Sequence, residues 1–183
     1  MKIISIFEIN KDTLYAVQFD DFELDEFELA FDQWSDVAYL EEFFENHKKD
    51  LQSDFYGEIN VDDAIEDTIA EAEQLEDRMR MIASGKDQGM SLTEIFKPLD
   101  NQDYKQGSHQ KSKATGDWHK SWLRVYAIKV GNVYVVCGSA IKLRPDMSDR
   151  EHLQLQLRKL EMTKNYLIEM GVLDGEDFEY LEF

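Results

Sequence analysis

The chain has 183 residues and carries 39 Asp and Glu against 20 Lys and Arg, a formal net charge of −19. A hydrophobic fraction of 43% and an aromatic fraction of 12% suffice for a packed core, so most of the chain is expected to be ordered. The single cysteine, Cys137, excludes an internal disulfide framework. The apolar run at the N-terminus breaks at Glu8, too short for a membrane span and without a small-residue cleavage site, so a cytoplasmic location without membrane contact is expected.

The charge is unevenly spread. Met1 to Ile82 holds 6 Lys and Arg against 24 Asp and Glu, whereas Lys97 to Lys164 holds 13 against 7. A uniformly acidic protein repels nucleic acid, but a locally cationic segment attracts a polyanion. The plainer alternative is that the basic part packs against the acidic part and neutralises it.

In chain order, residues 2–9 and 13–19 are rich in Ile, Val, Phe and Tyr and flank the turn cluster Asn10-Lys11-Asp12, which predicts a β-hairpin. Phe27, Phe31 and Trp34 then recur at helical spacing. Ser35-Asp36 offers a cap for a second short helix over 37–49, with Val37, Leu40 and Phe44 on one face and Lys48 and Lys49 near its end. Residues 61–83 give the clearest helix: Asn60 as cap, then one apolar seam of Val61, Ile65, Thr68, Ala72, Leu75, Met79 and Ile82. Ser91 caps a short helix before Pro98, and the polar, basic run from Asp100 to Lys120 reads as a long mobile loop.

Residues 122–130 and 133–137 read as strands joined by a two-residue II′ turn at Gly131-Asn132, with the 140–143 segment extending or restarting a strand that Pro145 ends. Ser148 and Glu151 form a capping-box pattern for a long helix with Leu153, Leu157, Leu160 and Leu167 on one side and Gly171 at its C-terminus. The acidic, aromatic tail is left to pack or fray. These elements predict one α+β domain: an antiparallel sheet built from the N-terminal and central hairpins and packed by several helices, including a long C-terminal one. Within it run an acidic half (1–96), a basic loop (97–121) and a hairpin plus long helix (122–183).

Familiar sites are missing from the sequence. It has no Walker loop, dinucleotide fingerprint, G-x-S-x-G elbow or calcium-loop pattern. The histidines His47, His109, His119 and His152 include no i, i+4 pair and there is no cysteine pair, so no metal and no cofactor are expected. Cys137 lies in an apolar strand and reads as a buried, inert thiol. Acid pairs such as Glu41-Glu42 and Asp62-Asp63 read as solvated helix faces. The basic set is more informative. Arg124, Lys129, Lys142, Arg144 and Arg150 lie on or just after the central hairpin, Lys111, Lys113, His119 and Lys120 lie before it, and Trp118, Trp122, Tyr126 and Tyr134 are interleaved. Cations among aromatics suit single-stranded nucleic acid, with Lys111, Lys113, Lys120, Trp122 and Tyr126 as the candidate contacts. Hairpin aromatics that fill a core and lysines that confer solubility are the ordinary alternative.

The stretch WLRVYAIKVGNVYVVCGSAIKLRPDM resembles the sheet core of the RelE-like toxin superfamily, particularly its phage-derived and HigB-type members, through Leu123-Arg124, the Gly131-Asn132 turn, Val133 to Cys137 and Ala140-Ile141-Lys142. WLRVYAIKV, GSAIKL and DREHLQLQLRKLE also resemble segments of proteins from gut Bacteroidetes. The toxin resemblance, over about a quarter of the chain, implies a metal-independent mRNA interferase acting on RNA at the ribosome. There the RNA 2′-hydroxyl attacks the adjacent phosphate while cations stabilise the developing charge. By position Lys142 and Arg124 would be the cationic stabilisers and Arg144 their support, with His152 or Tyr126 in proton transfer. Unlike those toxins, which are short and strongly basic, this chain has a large acidic half and a long helix after its sheet. The acidic half would then cover the basic face, as an antitoxin does, making a self-masked or inactive relative, or the likeness is of fold only and function differs. RNA binding without cleavage, through the 105–120 loop, is a further expectation. The competing expectation is a non-catalytic interaction module that meets a protein partner or a second copy of itself through an apolar patch on the 61–82 helix or the tail.

Overall fold

The two apolar runs around Asn10 form the first hairpin. Strands β1 (Ile3–Asn10) and β2 (Leu14–Phe19) pair antiparallel across a turn in which Asp12 takes a left-handed φ of 60°. Helix α1 (Glu26–Ser35) begins at Asp25, whose carboxylate accepts from the N–H groups of Phe27 and Glu28, and α2 (Val37–Asn46) begins at Asp36 in the same way. The second helix is shorter than expected: it ends at His47, and Lys48 and Lys49 start a separate turn, α3 (Lys48–Leu51). Leu40 and Phe44 are buried, but Val37 is exposed. Helix α4 (Val61–Ala83) follows its Asn60 cap, and every residue of the expected seam is buried. The computed structural model describes residues 1–57, 59–87, 89–99, 109–118, 120–144 and 150–180.

After α5 (Leu92–Ile95) the stretch expected to be loop contains two strands, β3 (Lys97–Pro98) and β4 (Gln110–Thr115). The sequence QKSKAT lacks aliphatics, yet it pairs residue for residue with β5 (Leu123–Val130), from Gln110↔Lys129 to Thr115↔Arg124. Ladder hydrogen bonds and the burial of Ser112 and Ala114 outweigh its weak strand propensity. The rest of that expected loop, residues 100–108 and His119, lies outside the described residues.

β5 turns into β6 (Val133–Ile141) at Gly131, whose φ of 59° suits the expected hairpin turn. β6 is one strand throughout, and the register shift sits at Tyr126/Ala127 opposite Gly138. Helix α6 (Glu151–Glu169) has Arg150 at its N-cap position, so Glu151 is its first residue and not the third of a capping box. Arg150 is extended there and grips the Asp50 carboxylate with two nitrogens at 2.7–2.9 Å. Pro145 and Ser148 lie outside the described residues. At the other end Gly171, with φ 78°, closes a Schellman turn: its N–H bonds to the Ile168 carbonyl and that of Val172 to Leu167. Leu153, Leu160 and Leu167 are buried and Leu157 is exposed. The tail packs through Val172 and Phe178, and the Phe178 ring stacks on Tyr15 at 4.8 Å.

The strands form one six-stranded sheet in the order β1-β2-β6-β5-β4-β3. The α+β class holds, and the sheet is mostly antiparallel. The exception is the junction of the two hairpins, where β2 runs parallel to β6 over Leu14↔Tyr134, Tyr15↔Val135 and Ala16↔Val136. These central strands are covered on both faces, which explains their unbroken apolar sequence. One face packs Leu14, Ala16, Val125 and Val136 against Phe27, Phe31, Trp34, Phe44 and the α4 seam. The other packs Tyr15, Val17, Ile128 and Val135 against Leu153, Leu160, Leu167 and Phe178.

Where β2 and β6 stop pairing, an ion pair links the two helical layers. Lys159 of α6 donates to Glu26 of α1 at 2.6 Å, with both side chains at most 4% exposed, and its ammonium lies 5.2 Å from the Phe19 ring and 4.9 Å from the Phe22 ring. Burial raises the Glu26 carboxyl above its ordinary range even with Lys159 beside it. Removing one partner strands the other charge in the core. Lys159→Met should therefore lower unfolding free energy in urea by about 3–5 kcal/mol. Adding Glu26→Gln should recover part of the loss; an equal loss in the single and double variants would show that the pair is not coupled.

Candidate functional site

The strand ends β5 and β6 bring the expected cations together. Arg124 is the second residue of β5, Lys142 follows β6, and the Lys142 N–H bonds to the Trp122 carbonyl at 2.7 Å, continuing the ladder past the last paired residue. Arg124, Lys142 and Arg144 line one cleft of about 460 Å³. Phe55 and Tyr56, from the turn after α3, form a wall held down by the Tyr56 hydroxyl, which donates to the Lys142 carbonyl at 3.2 Å. Trp118, Lys120 and Ser121, from the connection between β4 and β5, form the opposite side.

That connection rests on α4. The Trp118 N–H donates to the Glu71 carboxylate at 2.9 Å, its indole N–H donates to the Gln74 side chain at 3.0 Å, and Asp117 pairs with Arg78. Residues 71, 74 and 78 form a stripe along one side of the helix. Gly116 allows the close approach, because a Cβ there would lie 2.1 Å from a Glu71 oxygen. Glu71 is 3% exposed, and burial raises its carboxyl above the ordinary range against the hydrogen bonds from Trp118 and Ser121. Lys120 holds the rim with a left-handed φ of 64°, its ammonium 5.0 Å from the Phe55 ring. Arg124 is half-buried. Its guanidinium donates to the Ser121 and Leu123 carbonyls at 2.9 and 2.7 Å, and desolvation lowers its pKa.

The remaining expected residues are placed differently. Trp122 is 5% exposed, and its indole N–H donates to the Thr68 hydroxyl at 2.9 Å inside the core. Tyr126 is 1% exposed, and burial pushes its phenol up to about 12. Tyr126 presents no face on which a base could stack and is not placed to exchange a proton with a bound substrate. Of the aromatics that line the cleft, Phe55 and Trp118 are exposed. Lys111 pairs with Glu161 of α6 at 2.5 Å. Lys113 is half-exposed on β4, on the same side as Thr115 at the cleft mouth and one alternate position, roughly 7 Å, away. Arg144 borders the cleft and lies 3.6 Å from Asp50.

His152 stands beside the cleft and not in it. Its Nε2 lies 3.2 Å from the Ile141 carbonyl oxygen, which accepts from the Nε2–H tautomer, and its ring meets Phe43 and His47 edge to face at 5.5 and 5.1 Å. Among the described residues no group of three or more His, Cys, Asp or Glu side chains is disposed to hold a metal ion, and no helix is long and apolar enough to cross a membrane. Cys137 is fully buried and burial raises its thiol pKa.

Sequence reasoning missed Tyr56, Phe55 and Glu71. The signal for Glu71 was an acid flanked by Thr68, Ala72 and Leu75 on the apolar side of α4. Nothing local marks Phe55 or Tyr56. No family model, curated protein or solved structure matches the chain.

Desolvation lowers the pKa of both His152 and His47 below the ordinary 6.5, with the Arg150 charge acting in the same direction. The folded state therefore binds fewer protons than the unfolded chain as pH falls below about 6.5, and stability drops there until the folded-state values are passed. Tm should fall between about pH 7.5 and about pH 5.5, and His152→Gln, which keeps an N–H for Ile141, should show a shallower fall. Parallel curves would exclude His152 as a source of the acid sensitivity.

Proposed function

We propose that the chain is a RelE-like protein that binds single-stranded RNA in the cationic cleft without cleaving it. The observation that carries this reading is the convergence of Lys120, Arg124, Lys142 and Arg144 on one cleft whose rim holds the exposed aromatics Phe55 and Trp118. Phosphates and bases are met by such a combination: cations track the backbone and rings accept a stacked base. Lys113 extends the cationic line along β4. Cleavage needs a proton acceptor and a donor within reach of the reacting oxygens. His152 is turned toward Phe43 and the Ile141 carbonyl, and Tyr126 is buried, so neither supports a cleaving enzyme. RNA as the ligand goes with a cytoplasmic location.

The alternative of a protein-interaction module draws less support. The α4 seam faces α1, α2 and the sheet, and among the described residues of the tail Val172 and Phe178 are buried while Leu173 is exposed.

Binding of a short, end-labelled single-stranded RNA, followed by fluorescence anisotropy, should weaken steeply with salt. Lys142→Ala and Arg144→Ala should each lower affinity several-fold and reduce the salt slope by roughly 0.7 for each phosphate no longer neutralised. Gel analysis of the same mixtures should show intact RNA. Absence of salt-dependent binding at low ionic strength would overturn the reading, and a product that disappears in Lys142→Ala would replace it with catalysis.

A further inference from the structure

Beside the cleft lies a smaller chamber of about 130 Å³. Tyr56, Trp118, Lys120 and Ser121 line both spaces, so the two are continuous. The chamber differs from the cleft in chemistry. Its aromatic lining is Tyr56, Trp118 and Trp122, and its acids are Glu71 and Asp67, one helical turn apart on α4.

Glu71 is the unusual member. It is a buried carboxylate held by hydrogen bonds from the Trp118 N–H and the Ser121 hydroxyl, with the Arg124 charge acting on it from farther off. A carboxylate offers about four acceptor sites and no donor when ionised. Two are engaged, which leaves acceptor capacity at the wall of a chamber bounded by rings. The chamber therefore suits a planar ligand that turns two neighbouring N–H groups toward Glu71. It is too small for more than one ring system, and its entrance is shared with Lys120 and, beyond it, the cations of the cleft.

Among the RNA bases, guanine alone presents two adjacent donors on its Watson–Crick edge, N1–H and the 2-amino group. Adenine and cytosine pair each donor with a neighbouring acceptor, which a carboxylate repels, and uracil has a single donor between two acceptors. We propose that this chamber is a guanine-reading subsite: Glu71 accepts from N1–H and the 2-amino group, Trp118 and Tyr56 flank the ring, and the 5′-phosphate reaches the Lys120 and Lys142 side of the cleft. The inference rests on the RNA-binding reading for the phosphate and stands apart from it for the base.

Calorimetric titration of the full chain with GMP, IMP, AMP, guanosine and ribose 5-phosphate tests it. GMP should bind about tenfold or more tighter than AMP, and IMP, which lacks the 2-amino group, should fall between them. Glu71→Gln, which replaces one acceptor by a donor, should erase the preference for GMP over AMP while ribose 5-phosphate binds as before. The ligand series on the unaltered chain decides the matter even if that variant fails to fold. Equal binding of GMP, AMP and ribose 5-phosphate would overturn the guanine subsite and leave the cationic cleft standing. Binding of guanosine without any contribution from phosphate would keep the subsite and overturn the cleft as a phosphate site. Failure of every ligand to bind would overturn both.

Discussion

A lysine buried beside a glutamate holds the two halves of this molecule in register. Lys159 and Glu26 meet at 2.6 Å where the parallel pairing of β2 and β6 ends, and the Phe19 and Phe22 rings receive the remaining field of the ammonium. Desolvating two charges is expensive, and hydrophobic replacements in such positions are often no less stable. What the pair supplies is specificity of docking: α6 must sit where its lysine finds α1, and α1 must enter where its glutamate finds α6. Gly138 permits this approach on the sheet side, since a Cβ there would lie 2.2 Å from the Gln156 side-chain oxygen. With α1 and α6 so fixed, the turn after α3 and the ends of β5 and β6 are brought face to face.

Among the described residues the two charge zones meet in several ion pairs. Asp50 takes Arg150 and borders Arg144, and Glu26 takes Lys159. Each of these contacts uses an acid of the first half and a base of the second, so self-neutralisation accounts for part of the segregation. It does not account for the Lys120 side of the cleft, where the ammonium lies over the Phe55 ring and donates to the Phe55 carbonyl. The acidic half is not a simple lid over a basic effector either. It contributes Phe55, Tyr56 and the α4 stripe that positions Trp118, and without these the cations would lie on an open strand end.

Much of the fold was legible because burial leaves a period. The α4 seam, the α1 aromatics and both hairpins follow from spacing alone. β4 was hidden because its two inward positions are Ser112 and Ala114, too small to give an alternating pattern, and its stability comes from a ladder with β5 that local sequence does not encode. The parallel contact of β2 with β6 was hidden for a similar reason: unbroken apolar strands reveal that both faces are covered but not which neighbour lies beside them. At the site the cations were legible by type and position. The aromatics were not, because Trp122 and Trp118 look alike in sequence, and only the direction of the chain after Gly116 sends one to the core and the other to the rim. His152 likewise owes its placement to Phe43 and His47 from a distant helix.

The position of β2 has a consequence for how the molecule is made. Leu14 is synthesised well before its sheet partner Tyr134. Until then the first hairpin presents an apolar strand with an unsatisfied edge, and α1 and α4 have only part of the surface they need to cover. A nascent chain in that state is a template for pairing with other strands. Its dense acidic charge lies in this same early segment, where mutual repulsion keeps unfinished copies apart until β6 arrives.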